Sequence, residues 1–177
     1  MRYAISLALL MLALTIVSCA QDAPQGDVAV GYSPLYIIKG YTIWMNGGSA
    51  SASFNINNWL GVVGDFGGYV GHVPETISGE TYMAGPRFYY RKLKTDRLAP
   101  FAQALFGGSH FSESTGGITG GGSQFTFALG GGADVALGSS GKFALRPAWE
   151  YVGIRSDGST TSATRFSIGI VYRFGNR

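Results

Sequence analysis

The sequence has few charged residues, one cysteine and no long basic run, and each shortage excludes a class of protein. Charged residues make up 13% of the 177-residue chain, about half the usual globular share, which is too few for an intrinsically disordered chain. Cys19 is the only cysteine, so no internal disulfide forms, and no Cys/His group has metal-ligand spacing. The net charge is +3 and no basic cluster exceeds Arg91-Lys92. We therefore predict no cofactor and no nucleic-acid partner.

The first 20 residues predict an exported protein. Arg2 supplies a positive charge, residues 4–17 form an apolar run, and the small residues 18–20 follow, which is the pattern of a secretory signal peptide. The run is shorter than the roughly 20 residues that a membrane-spanning helix needs. We therefore predict a signal peptide at 1–20 and one mature domain at 21–177. Residues 16–19 also resemble a bacterial lipobox, so whether Cys19 is lipidated or lost at cleavage stays open.

Alternating polarity predicts that the mature chain is all-β. At the C-terminus, Phe166, Ile168, Ile170, Tyr172 and Phe174 share one face of a strand, which is a period of two. The alternation recurs in eight segments, at 27–38, 49–57, 59–71, 81–92, 98–109, 123–137, 142–154 and 164–174. Short connections alternate with longer ones, which we interpret as loops at 39–48, 72–80, 110–122 and 155–163. This layout predicts an eight-stranded antiparallel up-and-down transmembrane β-barrel.

The charged residues of these strands lie opposite the bulky apolar ones. In segment 142–154, for example, Trp149 and Tyr151 oppose Arg146 and Glu150. A soluble sandwich would turn its charged face to water and carry more Lys and Glu there, so we predict that this face lines a narrow lumen. Eight strands enclose a lumen that side chains can fill, which favours a salt-bridge plug; a selectivity site in a small pore is the alternative. The predicted lumen charges are Asp65, Arg87, Arg91, Asp134, Arg146, Glu150, Arg165 and Arg173.

Aromatic and proline residues add two expectations. Aromatic residues near the strand ends predict two membrane-interface girdles. Pro34, Pro86 and Pro147 fall within predicted strands, where each removes a ladder donor, and a bulge would accommodate Pro86 and Pro147. The girdle residues are Trp59, Tyr90, Phe143, Tyr172 and Phe174 at the short-turn end, and Tyr36, Tyr82, Phe111, Phe125 and Phe166 at the long-loop end.

The C-terminal residues carry a resemblance to a known family. Ser167, Gly169, Tyr172 and Phe174 resemble the β-signal by which the barrel assembly machinery recognises its clients. The mature chain resembles the small eight-stranded outer-membrane β-barrels typified by OmpX and the OmpA transmembrane domain. The resemblance implies an outer-membrane location, with outer-membrane lipid and the assembly machinery as partners. It also implies a structural or surface-interaction role, in which loops meet an unknown extracellular ligand.

A loop-side lipid- or acyl-modifying enzyme resembling PagP or PagL is a further alternative. His110 stands beside Ser109, Ser112 and Glu113, which are residue types used in acyl transfer. Adjacent residues of a strand point to opposite faces, however, so Ser109 and His110 do not converge. We therefore predict no enzymatic activity.

Overall fold

The computed structural model describes residues 24–39, 41–73, 75–91, 97–115, 118–138, 140–156 and 158–175. None of these residues lies in a helix long and apolar enough to cross a membrane. They form nine strands: β1 Gly26–Tyr32, β2 Leu35–Lys39, β3 Tyr41–Asn55, β4 Leu60–Val73, β5 Glu75–Tyr89, β6 Leu98–Thr115, β7 Ile118–Leu137, β8 Phe143–Ser156 and β9 Ser159–Phe174.

The sheet closes on itself as an antiparallel barrel of eight positions. β1 and β2 share one position, because both pair with β3 on one side and with β9 on the other. The predicted first strand is thus divided, and the break falls at Ser33 and Pro34, where proline lacks a donor. The neighbours stay bonded there: Ser33 N donates to Gly47 O at 2.8 Å and Phe166 N to Pro34 O at 3.3 Å. The predicted eight-stranded barrel is therefore confirmed.

The proline of β5 interrupts the ladder without shifting it. Pairing between β5 and β6 lapses around Pro86, yet the flanking pairs Ala84–Phe106 and Arg87–Gln103 keep one register. Pairing between β8 and β7 lapses in the same way around Pro147 and resumes in the same register. Each proline therefore removes local hydrogen bonds only, and the bulges expected at these two positions are absent.

The four segments interpreted as long loops are mostly strand. β3 already begins at Tyr41, β5 at Glu75 and β9 at Ser159, while β6 runs on to Thr115. The loop prediction is therefore wrong for the described residues of these segments. We call the end where β2–β3, β4–β5, β6–β7 and β8–β9 meet the hairpin end. The opposite end, where Gln25 N donates to Gly175 O at 3.0 Å, is the terminal end.

The outward face changes from apolar to polar along the barrel. On β9 the outward side chains are apolar from Phe174 to Phe166 and are all exposed. This length is about 26 Å along the strand, or about 20 Å along the barrel axis at the usual strand tilt of about 40°, somewhat less than the apolar band of about 25 Å of outer-membrane barrels. We call this region the belt. Beyond it, toward the hairpin end, lies a part that we call the extension, with outward residues that include Ser78, Glu80, Ser112, Arg155 and Thr160.

Aromatic contacts lie at both edges of the belt. Tyr36 meets the Trp44 ring edge-on, with centroids 4.2 Å apart, near the hairpin end. Phe143 and Tyr172 pack with centroids 5.3 Å apart near the terminal end. Phe111 departs from the predicted girdle, because it points inward and packs against buried apolar residues.

Candidate functional site in the lumen

The inner face of the barrel has two layers of opposite character. The layer nearer the terminal end, which we call the charged layer, contains every predicted lumen charge except Arg91, and its acidic and basic groups alternate. The layer nearer the hairpin end, the apolar layer, contains aliphatic and aromatic side chains. The charged layer consists of Asp27, Asp65, Tyr69, Arg87, Tyr89, Gln103, Asp134, Arg146, Glu150, Arg165 and Arg173.

Arg165 forms the first centre of the charged layer. Its Nε donates to Glu150 Oε2 at 2.6 Å, and its Nη1 donates to Asp65 Oδ1 at 2.7 Å and to the Tyr69 hydroxyl at 3.2 Å. Glu150 stands directly opposite Arg165 in the β8–β9 ladder. Both side chains are only 2% exposed, so a single guanidinium compensates two buried carboxylates.

Arg146 forms the second centre. It binds Asp134 through two parallel bonds, Nε to Oδ1 at 2.6 Å and Nη2 to Oδ2 at 2.8 Å, and its Nη2 also donates to Asp27 Oδ1 at 3.0 Å. Arg173 adds a longer contact to Asp134 Oδ2 at 3.4 Å. The planar fork of arginine suits this two-pronged binding of a carboxylate.

Arg87 and Gln103 join the two centres. Arg87 Nε donates to Gln103 Oε1 at 2.6 Å, and Gln103 Nε2 donates to Glu150 Oε1 at 2.6 Å. Arg87 Nη1 also lies 3.8 Å from Asp27 Oδ1, and its guanidinium lies 4.7 Å above the Phe101 ring. The polar contacts therefore run without a break from Asp65 through the lumen to Arg173.

Asp27 is the charged residue of this layer that was not predicted from the sequence. It is 2% exposed and accepts hydrogen bonds from Ser53 Oγ at 2.5 Å, Arg146 Nη2 at 3.0 Å and the Tyr89 hydroxyl at 3.1 Å. The sequence does carry a signal for this position, because Val28 and Val30 are apolar and point outward. By strand alternation, Asp27 then faces inward.

Arg91 is the predicted lumen charge that the structure does not bring to a carboxylate. It lies two residues beyond the end of β5 and is only half-buried. Its guanidinium donates to the Asn58 carbonyl at 3.2 Å and lies 4.0 Å over the Tyr89 ring. Burial lowers the pKa of Arg91. Its place beyond the strand end, at the mouth of the barrel, separates it from the charged layer.

Little free space remains within the charged layer. The cavity among Asp65, Arg87, Glu150 and their neighbours measures about 30 Å³. One or two water molecules fill such a volume. The side chains therefore occupy most of the lumen at this level.

The apolar layer is a part of the lumen that the sequence did not predict. Its members are buried, and Tyr69 joins the two layers, with its ring among apolar side chains and its hydroxyl on Arg165. Several members lie in segments interpreted as loops, to which strand alternation was not applied. The cluster comprises Leu35, Ile37, Ile43, Met45, Val63, Tyr69, Met83, Leu105, Ala128, Val152, Ile154 and Ala163, with Ile77 and Phe111 against it.

His110 lies on the outward face. Its Nδ1 is 3.2 Å from Ser123 Oγ and its Nε2 is 3.4 Å from Ser112 Oγ. Ser109 is buried on the other face, where its Oγ accepts a bond from Thr126 at 2.7 Å. A catalytic triad places a carboxylate at the second ring nitrogen, whereas here both nitrogens face hydroxyls. The side chain of Glu113 lies outside the described residues.

The four assembly-signal residues lie on β9, beside the strand that closes the barrel. Tyr172 and Phe174 point outward, opposite Val28 and Gly26 of β1. The Phe174 ring covers Gly26, where an added Cβ would lie 2.8 Å from Phe174 Cζ. These residues therefore pack at the seam between the first and last strands, and their role in assembly stays a prediction.

Comparisons with known proteins agree on the architecture. A family model described as outer membrane protein beta-barrel domain matches residues 5–174. No match to a curated protein was found. The structure resembles the neisserial surface protein NspA, with a TM-score of 0.73, 13% identity, and coverage of 85% of this chain and 97% of that one. It also resembles Ail, the attachment invasion locus protein of Yersinia pestis, with a TM-score of 0.62, 19% identity, and coverage of 86% and 99%.

Proposed function

The chain belongs to the outer membrane protein beta-barrel family, and we propose that it stands in the outer membrane as a barrel closed to solutes. In this proposal the belt contacts lipid, and the terminal end, where the strands stop close to the belt, faces the periplasm, because outer-membrane barrels carry their longer segments on the extracellular side. The extension then projects from the cell surface. The role is structural and interactive: the barrel holds the polar outer wall of the extension where an extracellular ligand meets it.

The charged layer is the observation that carries the proposal of a closed lumen. Its carboxylates and guanidinium groups bond to one another across the barrel, and the cavity among them measures about 30 Å³. Breaking a buried ion pair costs several kcal/mol, so opening a water column through this layer is unfavourable. A salt-bridged plug accounts for the contacts better than a pore.

Planar-bilayer recording tests the closure. We expect no steady conductance from the folded protein, and none from Arg155→Ala, a control that changes an arginine on the outer face. A stable, ion-selective conductance would contradict the proposal. If Glu150→Ala or Asp134→Ala altered that conductance without loss of stability, the charged layer would be a selectivity site.

Export and membrane location have their own test. We propose that residues 1–20 direct export and are removed, so the mature protein should fractionate with the outer membrane. An intact barrel should also migrate faster on a denaturing gel before heating than after it. Recovery from the soluble periplasmic fraction would exclude the location.

The barrel assembly machinery is the partner proposed for biogenesis. Replacing Tyr172 and Phe174 with Ala should reduce insertion into the outer membrane strongly. The matched control is Phe88→Ala with Tyr90→Ala, which removes two exposed aromatic side chains near the same end of the barrel, one from the end of β5 and one just beyond it. Equal losses in the two double variants would show that the motif acts through packing alone.

A further inference from the structure

The apolar layer contains a second, larger cavity. It measures about 300 Å³ and lies inside the extension, at the hairpin end. Pockets that bind small molecules begin at about this size. We infer that this cavity is a binding site for a neutral, single-chain amphiphile, such as an alkyl chain that ends in a hydroxyl group.

The cavity walls divide into an apolar floor and a polar rim. Ile37, Ile43, Met45 and Ile154 are buried and form much of the floor. The rim carries polar groups from Gln124, Ser159 and Thr161. The Ser159 Oγ donates to the Ser156 carbonyl at 3.0 Å and can still accept a hydrogen bond. An alkyl chain gains free energy by leaving water for such a floor, while the rim offers hydrogen bonds to a polar end group.

The charge pattern selects among amphiphiles. The described side chains that line the cavity include no acidic or basic group. Among these described side chains a charged head group would lose its hydration without gaining a counter-ion, which is costly. The cavity therefore favours a neutral end group over a carboxylate or an ammonium group.

The position of the cavity makes it accessible from outside the cell. Ser159, at its rim, is exposed and pairs with Ser156 beside the last turn of the hairpin end. Below the floor, Leu35 and Leu105 are buried and separate the cavity from the charged layer. The cavity is therefore closed at its base, and we call it the cup. Binding in the cup does not depend on whether ions cross the charged layer.

Aromatic packing keeps the cup open. The Phe111 ring lies across Gly79, its partner on β5, and an added Cβ at Gly79 would collide with that ring. Because glycine leaves this space, the ring lies along the wall. A side chain at position 79 would push the ring toward the cavity.

Methyl NMR in lipid nanodiscs tests the site with 1-octanol as the probe. The isoleucine methyl groups report two environments, because Ile37, Ile43 and Ile154 line the cavity while Ile168 and Ile170 face lipid. We expect the cavity methyl signals to shift and saturate as octanol is added. The lipid-facing signals should change only gradually, as octanol partitions into the bilayer.

Two neighbouring threonines supply a matched pair of variants. Thr161 lines the cavity, while Thr160 is exposed on the outer face. Thr161→Trp should fill the cup and abolish the saturable shifts, whereas Thr160→Trp should leave them unchanged. If Thr161→Trp fails to insert, Ser159→Trp at the rim provides the same blockade.

The head group is tested with octanoate at neutral pH. We expect octanoate to bind at least about tenfold more weakly than octanol, because the described lining side chains supply no opposite charge. Equal binding would overturn the assignment to neutral amphiphiles. Shifts that do not saturate, or that survive Thr161→Trp, would overturn the site itself. Conductance recording is a separate measurement, so failure here is distinguishable from failure of the proposed closure.

Discussion

The wall of this barrel reverses its polarity between the belt and the extension. β8 shows both regimes in one strand: near its middle Trp149 points outward and Glu150 inward, whereas near its end Arg155 points outward and Ile154 inward. The side chains still alternate, and the strand pairing continues without a shift between these positions. In the proposed placement only the medium outside changes, from lipid to water.

The reversal follows from what each medium accepts. Lipid accepts apolar side chains, so the polar groups of the belt face inward, where they must bond to one another. Water accepts polar side chains, so the extension can bury its apolar groups as a soluble barrel does. One barrel is thus stabilised by ion pairs at one level and by hydrophobic packing at the next.

The largest effect should come from removing the centre of the charged layer. Arg165→Ala leaves Glu150 and Asp65 buried without their cation, and we expect it to lower the free energy of unfolding by roughly 3–5 kcal/mol. Urea unfolding in lipid vesicles measures this. Arg155→Ala is the control in the extension and should stay within about 0.5 kcal/mol. Equal effects would show that the charged layer contributes no more than a surface arginine.

A core deletion tests the apolar layer. Leu105 is fully buried, so Leu105→Ala should cost roughly 2–5 kcal/mol through lost burial and an empty space. Leu129 faces lipid in the belt, and lipid can fill the space that Leu129→Ala leaves, so that control should cost much less. The same unfolding measurement compares them. A similar cost for both would mean that the interior is loosely packed.

The boundary between belt and extension is tested with an added charge. Ile170→Arg places a cation on the lipid face within the belt and should cost roughly 2–4 kcal/mol. Thr160→Arg makes the same addition on the same strand and face, but in the extension, where water solvates it. The free energy of unfolding of Thr160→Arg, measured in vesicles, should lie within about 0.5 kcal/mol of that of the parent. A large cost at position 160 would place the extension in the membrane.

The sequence was sufficient for the belt and insufficient for the extension. In the belt, bulky apolar residues alternate with charges, so a strand such as 164–174 could be assigned with both of its faces. In the extension most outward residues are Ser, Thr and Glu, the usual residues of loops, so the sequence predicts connections around Ile43 and Ile77. Their inward apolar residues therefore went unassigned, and the cavity could not be foreseen. Contacts such as Gln103 between Arg87 and Glu150 depend on three strands far apart in sequence, which no local pattern reveals.

Asp27 offers the smallest and most discriminating change in the charged layer. Asp27→Asn keeps the shape of the side chain and one oxygen that can accept from Ser53 or Tyr89. It loses the negative charge that faces Arg146 at 3.0 Å and Arg87 at 3.8 Å. Hydrogen bonds to charged groups contribute roughly 1.5–3 kcal/mol and neutral ones about 1 kcal/mol, so we expect a loss of about 1–2 kcal/mol in vesicle unfolding.

Asp27→Ala removes every one of these bonds and should cost clearly more. If Asn and Ala cost the same, the charge alone matters and the hydroxyl partners are incidental. If Asn costs nothing, Asp134 alone compensates Arg146, and the network ends there rather than continuing through Asp27 to Arg87.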